Sequence, residues 1–238
     1  MHEELVDHVT KRLLETPRTE EPIPHIVVKD VFPDYFYELL EIYWPDYSLF
    51  DRKGDIRPDR FHMLEDDAKE TWVQLVAKKI IPDVIVPQIM RIFKPEMDAQ
   101  TKFIRESGKV NMRAPKPNLG RLMVREPGFQ FLPHVDPLPY IGTMLLYIPY
   151  PEQVESCGTI LYKVSGPLPV AFRSYKLFQD YGIKTQEVTK IPYTPNTLFA
   201  FPNNRTSCHG LQISESEKRI RRSYQAHISV KVNDEQFL

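Results

Sequence analysis

A histidine two positions before an aspartate, His134-Val135-Asp136 in the stretch FLPHVDPLPY, is the first pair in this chain that could do chemistry. In extended backbone, residues i and i+2 share a face, so the imidazole and the carboxylate project together while Val135 turns away. Alone, the pair is a common accident of sequence, and a proline-rich surface turn is the better explanation of it. A second histidine shifts the balance. His209 follows the apolar stretch TLFAFP and a turn, 75 residues downstream, and precedes Gly210. Two imidazoles and one carboxylate converging from separate strands form a three-point site of the kind that holds non-haem Fe(II) and leaves coordination positions for other ligands. Neutral imidazoles suit a borderline metal, and a single carboxylate leaves the site net positive, able to hold an anionic co-substrate.

A third group follows closely. The stretch EKRIRRSYQAHISV opens with a basic cluster and continues as an alternating strand. Arg221, Ser223, Gln225 and His227 fall on one face, and Arg222, Tyr224, Ala226 and Ile228 on the other. An inward arginine beside a small hydroxyl residue is a rigid, permanently charged receptor for a carboxylate. Arg219 and Arg222 compete for that role. Arg221 is favoured because its next inward neighbour is Ser223, whereas Arg222 would push Tyr224 into the site. The plain alternative is a solvated basic patch balanced by Glu215 and Glu217.

The elements that must position these groups change character along the chain. Up to about residue 118 the pattern is helical: ELVDHVTKRLLE carries an apolar stripe at Leu5, Val9 and Leu13, and DYFYELLEIYW at 34–44 has a similar one. DDAKETWVQLVAKKI follows, with Asp66 or Asp67 as N-cap and Trp72, Leu75, Val76 and Ile80 on one face. PHIVVKDVF at 24–32 reads as a strand. From about 119 the segments LGRLMVRE, IGTMLLYIP, GTILYKV, TLFAFPN and RSYQAHISVKV are short, β-rich and bounded by Pro, Gly or Asn. Such a run without intervening helices predicts an antiparallel sandwich or barrel, with the helices of 1–118 outside a β core of 119–232 in one domain. The excursion at 165–192 is either a lid or substrate wall, or an insertion with its own edge strand.

Together these motifs resemble the Fe(II)/2-oxoglutarate-dependent dioxygenases, in particular their prolyl-hydroxylase-like branch, over about residues 119–232. His134-Val135-Asp136 is similar to the family's HxD, His209 to its distal histidine, and Arg221-x-Ser223 to its co-substrate strand. EPGFQFLPHVD resembles the family's glycine-containing approach to HxD, with Gly128 six residues before His134. TMLLY resembles the strand that sends Thr143 and Tyr147 into the pocket, and CGTILY the strand opposite. The resemblance implies an α+β chain whose mainly β core is a double-stranded β-helix, a jelly-roll or cupin-like barrel buttressed by N-terminal helices. It also implies Fe(II) on His134, Asp136 and His209, and 2-oxoglutarate as co-substrate beside Arg221, Ser223, Tyr147 and Thr143. Dioxygen would be consumed, an unactivated C–H bond hydroxylated, and succinate and CO2 released. Retention of Asp136 favours hydroxylation over halogenation, which requires a small residue there. Where the family often has a tyrosine before the glycine, this chain has Val124 and Arg125, so Arg125 meets either co-substrate or substrate. Phe131, Tyr140, His227 and Arg173 are the other substrate candidates.

Composition limits the partners. A net charge of −1 over 238 residues excludes a general field for nucleic acid or anionic membranes, which leaves a small molecule as the expected substrate. The expected substrate classes are an amino acid, a sugar or a natural-product intermediate; hydroxylation of a protein side chain is the alternative. A cupin-like metal-binding protein without oxygenase activity and a zinc hydrolase are the other readings, and Arg221 and Tyr147 argue against both. Cys157 and Cys208 are too few for a disulfide framework, and the charged N-terminus MHEELVDHVTKRLLE has no apolar signal region, so the expectation is a soluble cytoplasmic protein.

Overall fold

The computed structural model describes residues 2–52, 59–63, 76–108, 112–118, 120–150, 157–168 and 176–231. Helix α1 (His2–Glu15) turns Leu5, Val9 and Leu13 inward, as their spacing of four requires, and α2 (Asp34–Ile42) buries Phe36, Tyr37 and Leu40. Between them β1 (Ile26–Val28) occupies the middle of the expected strand. The expected helix at 66–80 falls mostly outside the described residues, Asp66, Asp67, Trp72 and Leu75 included. From Val76 the chain is helical: a stretch to Ile85 with the wider i→i+5 bonding passes through Pro82 and runs into α3 (Val86–Ile92), which α4 (Lys94–Ser107) follows.

The strands are β2 (Asp51–Arg52), β3 (Asp59–Met63), β4 (Met112–Pro117), β5 (Arg121–Arg125), β6 (Gln130–Val135), β7 (Tyr140–Tyr147) and β8 (Ile160–Val164). They continue with β9 (Lys176–Leu177), β10 (Thr185–Lys190), β11 (Thr197–Pro202), β12 (His209–Gln212) and β13 (Arg221–Lys231). They form two antiparallel sheets. The larger runs β1-β11-β7-β13-β5-β3-β2, with β4 also paired to β13, and the smaller runs β10-β8-β12-β6-β9. Among the described residues these sheets are open, and the expected closed barrel is not seen. Side-chain packing between the sheets, rather than a continuous ladder, brings the two layers together.

The alternation of side chains explains why β7 and β11 are apolar along nearly their whole length. Leu145, Tyr147, Phe199 and Phe201 pack with Leu161 of the smaller sheet. Met144, Leu146, Leu198 and Ala200 belong to a second cluster, shared with Leu5, Leu40, Ile80, Ile89 and Ile104 of the helical segments. A strand buried on both faces needs no polar alternation. On β13 the same geometry sorts charge: Tyr224, Ala226 and Ile228 join the helix-side cluster, so Arg221, Ser223 and His227 face between the sheets. The 165–192 excursion supplies β9 at one edge of the smaller sheet and β10 at the other, and it buries Phe178. No helix among the described residues is long and apolar enough to cross a membrane.

Candidate metal centre

Neighbouring strands β6 and β12 place His134 directly opposite His209. Opposite residues of a ladder share a face, so the two imidazoles meet with ring centroids 4.3 Å apart. Gly210 makes this pairing possible, because a Cβ there would lie 2.7 Å from the Phe131 carbonyl oxygen on β6. The approach to β6 is a Glu126–Phe129 turn with Pro127 second and Gly128 third at φ +81°, the conformation that a type II turn asks of glycine.

Backbone carbonyls set the orientation of both rings. His134 Nδ1 donates to the Leu132 carbonyl at 2.7 Å, and His209 Nδ1 to the Ser207 carbonyl at 3.0 Å. A carbonyl can only accept, so the hydrogen sits on Nδ1, and Nε2 is the nitrogen left to bind a metal in place of a proton. Asp136 completes the cluster: one ligand atom from each of the three buried residues lies within 4.8 Å of the others. Its Oδ1 faces His209 Nε2 at 3.9 Å. Its Oδ2 accepts a 2.5 Å bond from the Thr143 hydroxyl, which in turn accepts from Asn203 Nδ2 at 2.8 Å. Burial alone would push the Asp136 carboxyl up; the imidazoles of His209, His227 and His134 outweigh it and hold the group well below the usual carboxylate range. A buried carboxylate requires positive charge beside it, and two Nε2 lone pairs with that carboxylate are a donor set that a divalent cation satisfies.

Aromatic rings wall the cluster. Phe131 stacks on His134 at 3.6 Å, Phe201 meets His209 edge-on at 4.8 Å, and Tyr140 stacks on His227 at 4.1 Å. His227 Nε2 lies 3.7 Å from Asp136 Oδ2, buried and without a hydrogen-bond partner among the described residues. Three of the expected substrate residues, Phe131, Tyr140 and His227, are therefore gathered at the triad. Arg125 stands opposite Arg221 in the β5–β13 register, buried, with its guanidinium 4.8 Å from the Phe129 ring centroid. Arg173 lies outside the described residues.

The arginine end is equally enclosed. Arg221 donates through Nε to the Cys157 carbonyl at 2.7 Å and through Nη1 to Ser223 Oγ at 3.0 Å. Its guanidinium carbon lies 5.1 and 5.0 Å from the ring centroids of Tyr147 and Tyr193. It is 3% exposed, and among the described residues no carboxylate pairs with it. Burial pushes the Tyr147 hydroxyl up, so it keeps its proton and donates to Thr159 Oγ1 at 2.7 Å. Arg222 is buried on the other face of β13 and donates to the carbonyls of Ile148 and Pro149, while Arg219 is exposed beside Tyr150. Thr143, expected beside the co-substrate, has its hydroxyl engaged with Asp136 and Asn203 instead. Sequence reasoning did not single out Asn203, Tyr193 or Thr159. The first two sit in the turns FPNNR and IPYTP, with no local signal of a contact made far along the chain, while CGTILY contains the third. Cys208 packs with Val135 and Phe178, and burial raises its thiol well above the usual range, which keeps it protonated and unsuited to metal.

No family model and no curated protein matches the sequence. Solved structures do match. A prolyl 4-hydroxylase from Pseudomonas putida aligns with a TM-score of 0.53 at 11% identity, over 96% of this chain and 100% of its own. This chain has a prolyl 4-hydroxylase fold. Prolyl 4-hydroxylases from Phytophthora capsici align over 95% of this chain and 62% of their own, at 13% identity and a TM-score of 0.47. The epimerase SnoN, in complex with Fe3+, alpha ketoglutarate and nogalamycin RO, aligns over 94% and 83% at 11% identity and a TM-score of 0.47. In this prolyl 4-hydroxylase fold the inner faces of β6, β12 and β13 supply His134, His209 and His227, and Asp136 follows directly on β6.

Proposed function

We propose that this chain is an Fe(II)- and 2-oxoglutarate-dependent dioxygenase of the prolyl-hydroxylase-like branch, a double-stranded β-helix supported by its helices, that hydroxylates an unactivated C–H bond of a small molecule. One observation carries the reading. The inner face of β13 holds a buried guanidinium without a carboxylate partner among the described residues, and the same face approaches a cluster of two imidazole nitrogens and one carboxylate. A metal-binding module or a zinc hydrolase has no need of that cation, whereas a dicarboxylate co-substrate requires it. His134, Asp136 and His209 would hold Fe(II); Arg221, with Ser223 and Tyr147 beside it, would bind the far carboxylate of 2-oxoglutarate. When bound, Fe(II), 2-oxoglutarate and dioxygen supply the oxidising power to hydroxylate a C–H bond, with succinate and CO2 as co-products.

The chain's own contribution is geometric and electrostatic. The Leu132 and Ser207 carbonyls lock the two ligand rings, the Tyr147 and Tyr193 rings enclose Arg221, and Phe131, Phe201 and Tyr140 keep bulk water from the centre. The aromatic lining and the near-neutral charge favour a small organic substrate, with Phe131, Tyr140 and His227 at the triad as its nearest contacts and Arg125 as a further one. The test is an anaerobic titration of the metal-free protein with Fe(II) and then 2-oxoglutarate. A visible metal-to-ligand charge-transfer band is expected for the wild type and none for His209→Ala. Metal binding without that band would refute the co-substrate assignment.

A further inference from the structure

We infer that Thr143 and Asn203 are positioning residues that reserve one oxygen of Asp136 and so make it a single-oxygen ligand of the metal. The inference rests on the triad being a metal site, and it concerns the orientation of the carboxylate within that site. The two oxygens of Asp136 have different surroundings. Oδ1 faces His209 Nε2 at 3.9 Å and belongs to the ligand side. Oδ2 is turned toward β7 and β13, where the Thr143 hydroxyl donates to it at 2.5 Å and His227 Nε2 stands 3.7 Å away.

The direction of this relay follows from proton counting. The Thr143 hydroxyl has one hydrogen, and an ionised carboxylate can only accept, so that hydrogen lies on the Asp136 side. What faces the hydroxyl oxygen from Asn203 must then be a donor, the Nδ2 group at 2.8 Å. Asn203 is 1% exposed and Thr143 is fully buried, so water does not compete for either bond. Asn203 is itself tied down, its backbone N–H donating to the Ile141 carbonyl at 2.9 Å. His227 closes the same side: its ring stacks on Tyr140, and its strand is clamped by Asn118 Oδ1 accepting from the His227 N–H at 2.8 Å. Thr143 and His227 are register partners on β7 and β13, so one rung of the larger sheet meets Oδ2 from both strands.

A carboxylate can bind a metal through one oxygen or chelate it through two. Three ligand groups that each give one atom leave three positions of an octahedral ion open, and a chelating Asp136 would take one of them. Holding Oδ2 in a hydrogen bond keeps the carboxylate to one atom. Thr143 therefore acts on the co-substrate through Asp136 rather than by touching it.

The experiment uses Co(II) as the probe, added anaerobically to the metal-free full-length protein, with the visible d–d spectrum and the dissociation constant as readouts. For Thr143→Val, which keeps the shape and removes the hydroxyl, Co(II) affinity is expected to fall by about 10- to 100-fold with altered d–d bands, as the loss of an outer hydrogen bond to a metal ligand commonly does. Thr143→Ser is expected to restore both. Asn203→Ala, which leaves the Thr143 bond but frees the hydroxyl, is expected to lie between. A folded Thr143→Val protein with wild-type affinity and spectrum overturns the inference. If that variant does not fold, unchanged affinity and spectrum in Asn203→Ala overturn it. Wild-type protein that takes up no Co(II) overturns the metal reading itself, an outcome distinct from the loss of the Asp136 bracket alone.

Discussion

Arg221 and Arg222 are adjacent and identical in type, and the alternation of side chains along β13 gives them opposite tasks. Arg221 points between the sheets, where two tyrosine rings and a backbone carbonyl enclose it; Arg222 points to the helix side and caps the carbonyls of Ile148 and Pro149 over the Tyr150 ring at 3.9 Å. Arg221→Ala is expected to weaken 2-oxoglutarate binding at least about tenfold while leaving Co(II) affinity unchanged, since it removes a charge-assisted bond worth more than ~1.4 kcal/mol. Calorimetric titration of the metal-free protein with Co(II), and then of the Co(II)-loaded protein with 2-oxoglutarate, measures the two affinities. Arg222→Ala is expected to leave that binding alone and to cost about 1–3 kcal/mol in urea unfolding, because two buried carbonyls lose their donor. Cys208 adds a further residue-scale prediction. Its thiol is fully buried and pushed up by burial, so a thiol-specific reagent should modify it only under unfolding conditions. Reaction in the native protein at a rate comparable to that in urea would contradict this placement.

At the scale of elements, the centre depends on the register of β12 against β6. A slip of one residue would turn His209 to the opposite face from His134. Gly210 protects that register, since any side chain there meets the Phe131 carbonyl, a backbone atom that cannot rotate away. Gly210→Ala is therefore expected to push β12 from β6, to cost about 1–3 kcal/mol in stability and to lower Co(II) affinity with it. Gly166→Ala, where an added Cβ meets nothing within 4 Å, should change stability by less than about 0.5 kcal/mol. Equal effects from the two substitutions, read by denaturant titration, would rule out a register role for Gly210. Much at this scale was legible: the alternation over 221–231, the apolar runs of β7 and β11, and the Pro127-Gly128 turn all carry local signals. The pairing of β6 with β12 does not, because the signal for a partner strand 75 residues away is spread over the whole sheet.

At the scale of the molecule, β7 and β11 of the larger sheet pack on both faces, Met144, Leu146, Leu198 and Ala200 with residues of the helical segments and Leu145, Tyr147, Phe199 and Phe201 with Leu161 of the smaller sheet. Phe199 sits between the sheets with no exposure, among Phe201, Leu145 and Tyr193. Phe199→Ala is expected to lower unfolding free energy by about 3–5 kcal/mol, because neither layer can collapse into the space left. Val188, on the edge strand β10 and 49% exposed, is the contrast: Val188→Ala should stay within about 0.5 kcal/mol. Comparable losses at the two positions would mean that the inter-sheet layer does not dominate stability.

The sequence by itself determined which residue types stand two apart on a strand, and with that the pairing of His134 with Asp136 and of Arg221 with Ser223, since local backbone geometry alone sets those faces. It also determined that the apolar segments after about residue 119 are extended, whereas β1, β2, β3 and β4 of the larger sheet come from the stretch before it whose pattern reads as helical. Only the tertiary structure decided that His209 stands opposite His134, that Thr143 serves Asp136, and that Arg221 lies between Tyr147 and Tyr193. Each of these is a contact between chain segments brought together by sheet register and two-sided burial, and no local preference specifies where a distant strand will dock.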